Sequence, residues 1–360
     1  MTCYKIKIQD VVYNWQTLAT HTGALTVPML KANAYGLGAQ RVLSALEDAG
    51  ADTFALSRIE EAEALQTDST LWVLTCYHGE KELRRMIEKK WHFAVDSLEQ
   101  AECADRIAGQ LGLTAHLHIA IDTGFGRFGF LPHQTEDMLA VFSLKNVKVE
   151  ALFSHLGAAF FYNDPFADEQ LDKFSLAVEV LRSAGAQIPL CHIANSSAAL
   201  RDKKFHLGAV RIGSALCGRL PVSTRLPLKR VGNFVTEIVD IRTLPKGQNI
   251  GYGKVYNLTR DTKVAVLAVG TADGIQLAKD YDAFRFRDFC RYGLRIFKMM
   301  LRKDNRMRVS VNGKSVPVIG RVAMTHMMID VTDIEAHIGD EVIVPISPLY
   351  VADHVERCYE

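Results

Sequence analysis

A chain of 360 residues is long for one compact core and suits a large domain joined to a smaller one. Its 42 lysines and arginines against 41 aspartates and glutamates leave a net charge of +1, which argues against a nucleic-acid or membrane-surface partner, either of which calls for a basic patch or tail. The seven cysteines are scattered, odd in number and without a CxxC pair, so they read as thiols in a reducing compartment, not as a disulfide framework or a zinc site.

Residues 1–8 hold no apolar core of the kind a signal peptide needs, and no run of the chain approaches the ~18 apolar residues of a membrane span. A cytoplasmic protein without a membrane partner or a bound metal is expected. The first apolar run, 27–31, reads as a buried strand that ends on Lys31. A small-residue turn with Tyr35, Gly36 and Gly38 follows. A lysine at the mouth of a buried strand has a charge that is costly to desolvate, so its amine is a usable nucleophile and can hold an aldehyde cofactor as a Schiff base. A surface lysine beside an ordinary glycine turn is the plain alternative.

Further apolar runs lie at 53–56, 71–76, 92–96, 115–122, 149–155, 190–194 and 209–212, with amphipathic helical patterns such as 58–66, 98–108 and 170–184 between them. That makes about eight strand–helix units, the number that closes a (β/α)8 barrel in preference to an open doubly wound sheet. A barrel places its chemistry at the C-terminal ends of the strands. The polar residues found there are Lys31, Asp122 with Arg127, His155, Asn195 with Ser196, and Arg211. Glycines flank Arg127, so the backbone there can come close to a ligand, and a guanidinium suits a carboxylate or phenolate oxygen. Ser196 opens a helix after the seventh run, where barrels often bind phosphate, and Gly213 and Ser214 after the eighth can add donors. His192 reads as a core residue near that end.

The pattern changes near 224–232. Runs at 233–244, 262–267, 306–311, 316–319, 327–331 and 341–344, with turn signals at 245–247 and 312–313, describe a second, mostly β domain. The expected division is 1–228 for the barrel and 229–360 for the β domain. Within the latter, 285–304 is basic with helical spacing and reads as a solvated amphipathic helix inside an apparent insertion, 280–305.

In this order the segments resemble those of the alanine racemase family. The match lies in Lys-Ala-Asn-Ala-Tyr-Gly at 31–36, Asp-Thr-Gly at 122–124 with Arg127, His155, Asn-Ser-Ser at 195–197, Arg-Ile-Gly-Ser at 211–214, Gly-Tyr-Gly at 251–253 and the segment 320–327. The resemblance implies a homodimeric racemase of a small amino acid, most simply alanine, that uses pyridoxal phosphate, with active sites shared between subunits. It implies that Lys31 carries the cofactor, that Tyr35 and Ser196 bind its phosphate, where Gly213 and Ser214 can add donors, and that Asn195 is among the cofactor-binding residues. By the same resemblance Arg211 faces the ring nitrogen and His155 lies against the ring. Arg127 and the Met324 backbone N–H take the substrate carboxylate, and Tyr252 of a neighbouring subunit is the second base, opposite Lys31. A racemase of serine, or a decarboxylase of the same architecture, is the alternative; Arg211 in place of an acid at the ring nitrogen weighs against the decarboxylase. A cofactor carrier on the same barrel would lack the β domain, and a dehydrogenase would need a fuller GxGxxG than Gly36 and Gly38 offer.

The sequence also departs from the family. Many members have a modified lysine where this chain has Ala120, so Arg127 must be braced in another way. Thr325 stands in place of an aspartate, and Tyr350 is the nearest candidate for an entrance tyrosine.

Overall fold

The computed structural model describes residues 1–220, 222–277, 286–300 and 306–360. These form two units, Lys7–Val231 on the one hand and Met1–Ile6 with Gly232–Glu360 on the other.

In the first unit eight parallel strands follow one another in chain order: Leu25–Pro28, Thr53–Leu56, Thr70–Val73, His92–Val95, Ala115–Ala120, Val147–Phe153, Cys191–His192 and Ala209–Ile212. The last pairs with the first, and Met29 bridges Ala55, so the sheet closes. The strands are short and apolar because both of their faces are covered, one by helices and the other by the barrel interior. Helix Phe166–Ser183 buries Ala167, Leu171, Phe174, Val178 and Leu181 at three- and four-residue spacing. Helix Leu98–Leu111 starts where Ser97 accepts a hydrogen bond from the Gln100 N–H and stops at Gly112 in the left-handed region. Val27, Ala55, Trp72, Ala94, Ala120, Phe153 and Ala209 fill the interior together, and small residues among them leave room for Trp72 and for several buried imidazoles.

The second unit is built on antiparallel pairing. Strand Asn233–Leu244 pairs along its first half with Glu341–Val344 and from Ile238 on, across a bulge between Ile238 and Asp240, with Thr262–Leu267. Met327–Asp330, Lys314–Ile319 and Arg308–Val311 complete the ring. The stretch Cys3–Ile6 belongs to this sheet, antiparallel to Asn233–Leu244 and parallel to Glu356–Tyr359. Four residues are too few to show a period, and their partners lie far off in sequence, so this pairing leaves no local signal. Helix Phe286–Met300 exposes Phe286, Phe289, Leu294 and Phe297; positions 285 and 301–304 of the expected helical stretch lie outside the described residues. No helix among the described residues is long and apolar enough to cross a membrane.

Candidate active site

A cavity of about 530 Å³ opens at the C-terminal ends of the barrel strands. Lys31, Tyr35, Arg127, His155, Asn195, Ser196, Arg211, Gly213 and Ser214 all line it. Three of these are cations, and none of its lining residues is acidic. Such a pocket suits an anionic ligand.

Lys31 stands just past the first barrel strand, and the turn behind it is left-handed. Ala32, Asn33, Ala34 and Tyr35 have φ of 50°, 54°, 51° and 57°. The turn is held by the Ala34 N–H donating to the Leu30 carbonyl at 2.7 Å and the Gly36 N–H to the Ala32 carbonyl at 2.9 Å. Glu61 clamps it from outside, accepting from the Ala32 N–H at 2.7 Å and, with its other oxygen, from the Ser57 and Arg58 N–H groups at 3.1 Å. Burial, with Arg127 and Arg211 nearby, lowers the Lys31 pKa; Glu61 opposes part of that shift. A reluctant ammonium is what a nucleophilic amine requires.

The turn also carries Tyr35 to the eighth strand. Its hydroxyl packs so closely on Gly213 that a Cβ there would lie 2.1 Å from the phenol oxygen. Burial raises the Tyr35 pKa, which keeps the phenol a neutral donor. The Ser196 Oγ accepts from the Gly213 and Ala215 N–H groups at 3.0 and 3.3 Å. Asn195 caps the helix Ser196–Arg201, accepting from the Ser197 and Ala198 N–H groups, both at 3.1 Å.

Arg211 is buried, and its hydrogen-bond partners are carbonyls and imidazoles. It donates to the Ser154 carbonyl at 2.8 Å, to the carbonyls of His192 and Ile193, to Nδ1 of His192, and to Nδ1 of His155 at 3.4 Å. Burial, then the neighbouring Arg127, pushes its pKa down to about 9, which leaves it charged at neutral pH. His155 is pushed down to about 3 by burial, with Arg211, Arg127 and Lys31 adding to the effect, so it is a neutral acceptor. Its ring meets that of Phe125 edge-on at 4.9 Å.

Arg127 follows a turn in which the Asp122 carboxylate accepts from the Gly124 and Gly126 N–H groups. Ala120 belongs to the apolar interior. In place of a brace from that position, the guanidinium lies over the rings of Phe125 and Phe128, at 4.7 and 4.6 Å.

Tyr252 and Met324 lie in the other unit. Tyr252 opens a short turn between Gly251 and Gly253 (φ 70° and 77°) and is 70% exposed. Met324, 73% exposed, sits on the loop before Met327–Asp330; its carbonyl accepts from the Ala272 N–H at 2.9 Å. Tyr350 lies in that unit too. Sequence reasoning missed Met29, Ser57, Leu74, Thr75, Phe128, Phe153 and Ser197, all of which line the cavity. Ser57 and Thr75 follow the second and third strands, so the strand-end rule applied to every strand would have found them.

The donor set fits pyridoxal phosphate. Lys31 offers the amine, and the Tyr35, Ser196 and Ser214 hydroxyls gather around the glycine that no larger residue could replace.

A family model described as "Alanine racemase, N-terminal domain" matches residues 6–221, and one described as "Alanine racemase, C-terminal domain" matches residues 231–350. The protein "Alanine racemase 2" of Caldanaerobacter subterraneus subsp. tengcongensis is 31% identical over 353 residues, covering 95% of this chain and 85% of its own length. An alanine racemase of Methanococcus maripaludis is 31% identical over 338 residues, covering 90% and 83%. Among solved structures, alanine racemase of Clostridium difficile 630 superposes with a TM-score of 0.86 at 25% identity, covering all of this chain and 95% of that one. In fold the chain also matches alanine racemase from Bartonella henselae with covalently bound pyridoxal phosphate, with a TM-score of 0.82 at 22% identity and coverage of 100% and 99%.

Proposed function

This chain belongs to the alanine racemase family, and on that premise we propose that it interconverts L- and D-alanine with pyridoxal phosphate held in the barrel cavity, its residues dividing the work as follows. Bound pyridoxal phosphate supplies an aldehyde carbon that an amine can join and a ring that spreads the electron pair left when the α-proton departs.

The supporting observation is the cavity itself, with three cations, no lining carboxylate and a lysine of lowered pKa at its rim. Tyr35, Asn195, Ser196, Gly213 and Ser214 hold the phosphate end. Arg211 would face the ring nitrogen as a donor that keeps its own proton, and a ring so partnered would be a weaker electron sink than one paired with an acid, which would favour proton return to carbon over side reactions. His155 lies at the ring, and Arg127 with the Met324 N–H receives the substrate carboxylate. Lys31 moves the α-proton on one face.

The opposite face needs a second base, and Tyr252 of a neighbouring copy supplies it. An exposed phenol fixed between two glycines has the reach for that role. The active unit is then a homodimer with shared sites. Seven unpaired cysteines fit a cytoplasmic home.

The test is borohydride reduction of the cofactor-loaded protein followed by peptide mapping, with a chiral assay against L-alanine and L-serine. Label on Lys31 with alanine preferred is the expected result. Label on any other lysine would remove Lys31 from the site.

A further inference from the structure

Among the described residues no carboxylate pairs with the buried Arg211 guanidinium, so dipoles must solvate it, and the barrel interior shows how. The Nη1 of Arg211 can only donate, so the Nδ1 of His192 that faces it must be bare. Neutral His192 then carries its hydrogen on Nε2, which points to the Nδ1 of His118 at 3.2 Å. That hydrogen bond leaves His118 with its own hydrogen on Nε2, which meets the Nδ1 of His92 at 3.4 Å. One arginine thus sets the tautomers of three histidines in turn. His118 and His192 are buried, and burial lowers the pKa of both well below the usual imidazole value, in keeping with the neutral forms this pattern needs. Trp72 and Phe153 stack on His192, and Trp72 meets His118 edge-on at 4.6 Å, so neither ring can turn freely.

The column ends at the opposite mouth of the barrel, where His92 stacks on His116 at 5.1 Å. His92, His116 and Glu150 could gather around a cation. However, the Glu150 Oε1 already takes both the His116 Nδ1 and the Lys148 ammonium at 2.8 Å, and the two rings lie parallel, so the group reads as the column's outer anchor.

We propose that His118 and His92 are positioning residues for the racemase reaction: through His192 they hold Arg211 in the orientation that meets the cofactor ring nitrogen. Each imidazole polarises the next, so the His192 lone pair facing Arg211 is strengthened from behind. This rests on the reading of Arg211 given above.

The test uses the full chain, 15N-labelled at histidine and loaded with cofactor. Long-range proton–nitrogen correlation should show His192 and His118 as Nε2–H tautomers. His118→Phe keeps the ring volume and removes the relay, whereas His118→Gln is a poorer filler that can still accept from His192 and donate to His92. The expected result is that His118→Phe lowers kcat and cofactor affinity, each on the order of tenfold, with KM for alanine little changed, and that His118→Gln recovers most of both. Phe outperforming Gln would mean packing alone and overturn the proposal, as would an Nδ1–H tautomer at His192. If His118→Phe does not fold, His92→Phe at the half-buried end should give the same loss at about threefold, and unchanged affinity there would equally refute it. Racemisation by the unsubstituted protein keeps a failure of this proposal separate from a failure of the function itself.

Discussion

Ala32 is an alanine in a place that alanine avoids. Its φ of 50° lies in the left-handed region, as do those of the next three residues, and each L-residue there costs roughly 1–2 kcal/mol. Glu61 and the turn's own hydrogen bonds hold the strain, and the result is a rigid step that aims Lys31 and Tyr35 into one cavity. Ala32 is exposed, so its methyl contributes no packing. In a right-handed helix Ala→Gly would cost about 1 kcal/mol. Here Ala32→Gly should leave the thermal midpoint unchanged or raise it by up to about 2 °C, as scanning calorimetry would show; a fall of several degrees would mean the turn is not left-handed. The identities of Lys31 and Tyr35 were legible in the sequence. The hand of the turn was not, because Asn33 tolerates positive φ but the alanines on either side of it carry no mark of it. Likewise Ala120 announced that Arg127 needed another brace, but not that Phe125 and Phe128 would provide it.

At the scale of elements, the barrel strands carry an unusual load of imidazole. His92 is pushed down to about 4, chiefly by burial, His155 to about 3, and His118 and His192 well below the ordinary value. An unfolded histidine takes up its proton near pH 6.5, whereas these folded ones do not. Their share of stability is therefore complete above about pH 6.5 and is lost as pH falls from there through the folded values, at up to about 1.4 kcal/mol per pH unit for each. Unfolding free energies from urea titrations at pH 7.5 and pH 5 should differ by several kcal/mol; equal values would show that the imidazoles are solvated. The strands that hold them were readable because apolar runs bounded by turns mark them out, and the runs at 53–56 and 209–212 coincide with the strands found. The histidines were readable only one at a time. Nothing in the spacing of 92, 118 and 192 says that three strands of the barrel, the last two with Val147–Phe153 between them, bring the rings into a line.

At the scale of the molecule, the two groups assigned to opposite faces of the α-carbon lie in different units, Lys31 in one and Tyr252 in the other. A site assembled from two copies has a genetic signature. Lys31→Ala and Tyr252→Phe should each lose nearly all activity. Equal amounts of the two, exchanged at random into dimers, should recover about a quarter of the normal rate, because half the dimers are mixed and one site in each is intact. No recovery on mixing, with dimers present, would place both groups on one copy.

The pairing of Cys3–Ile6 with Asn233–Leu244 and Glu356–Tyr359 bears on the order of assembly. The ribosome releases this strand before the barrel, yet both of its neighbours emerge only after the whole barrel has been made. The barrel can fold during synthesis while its leading segment trails unpaired. Residues made before the barrel are therefore placed only after it, and closure of that part of the sheet reports that translation has run through residue 359.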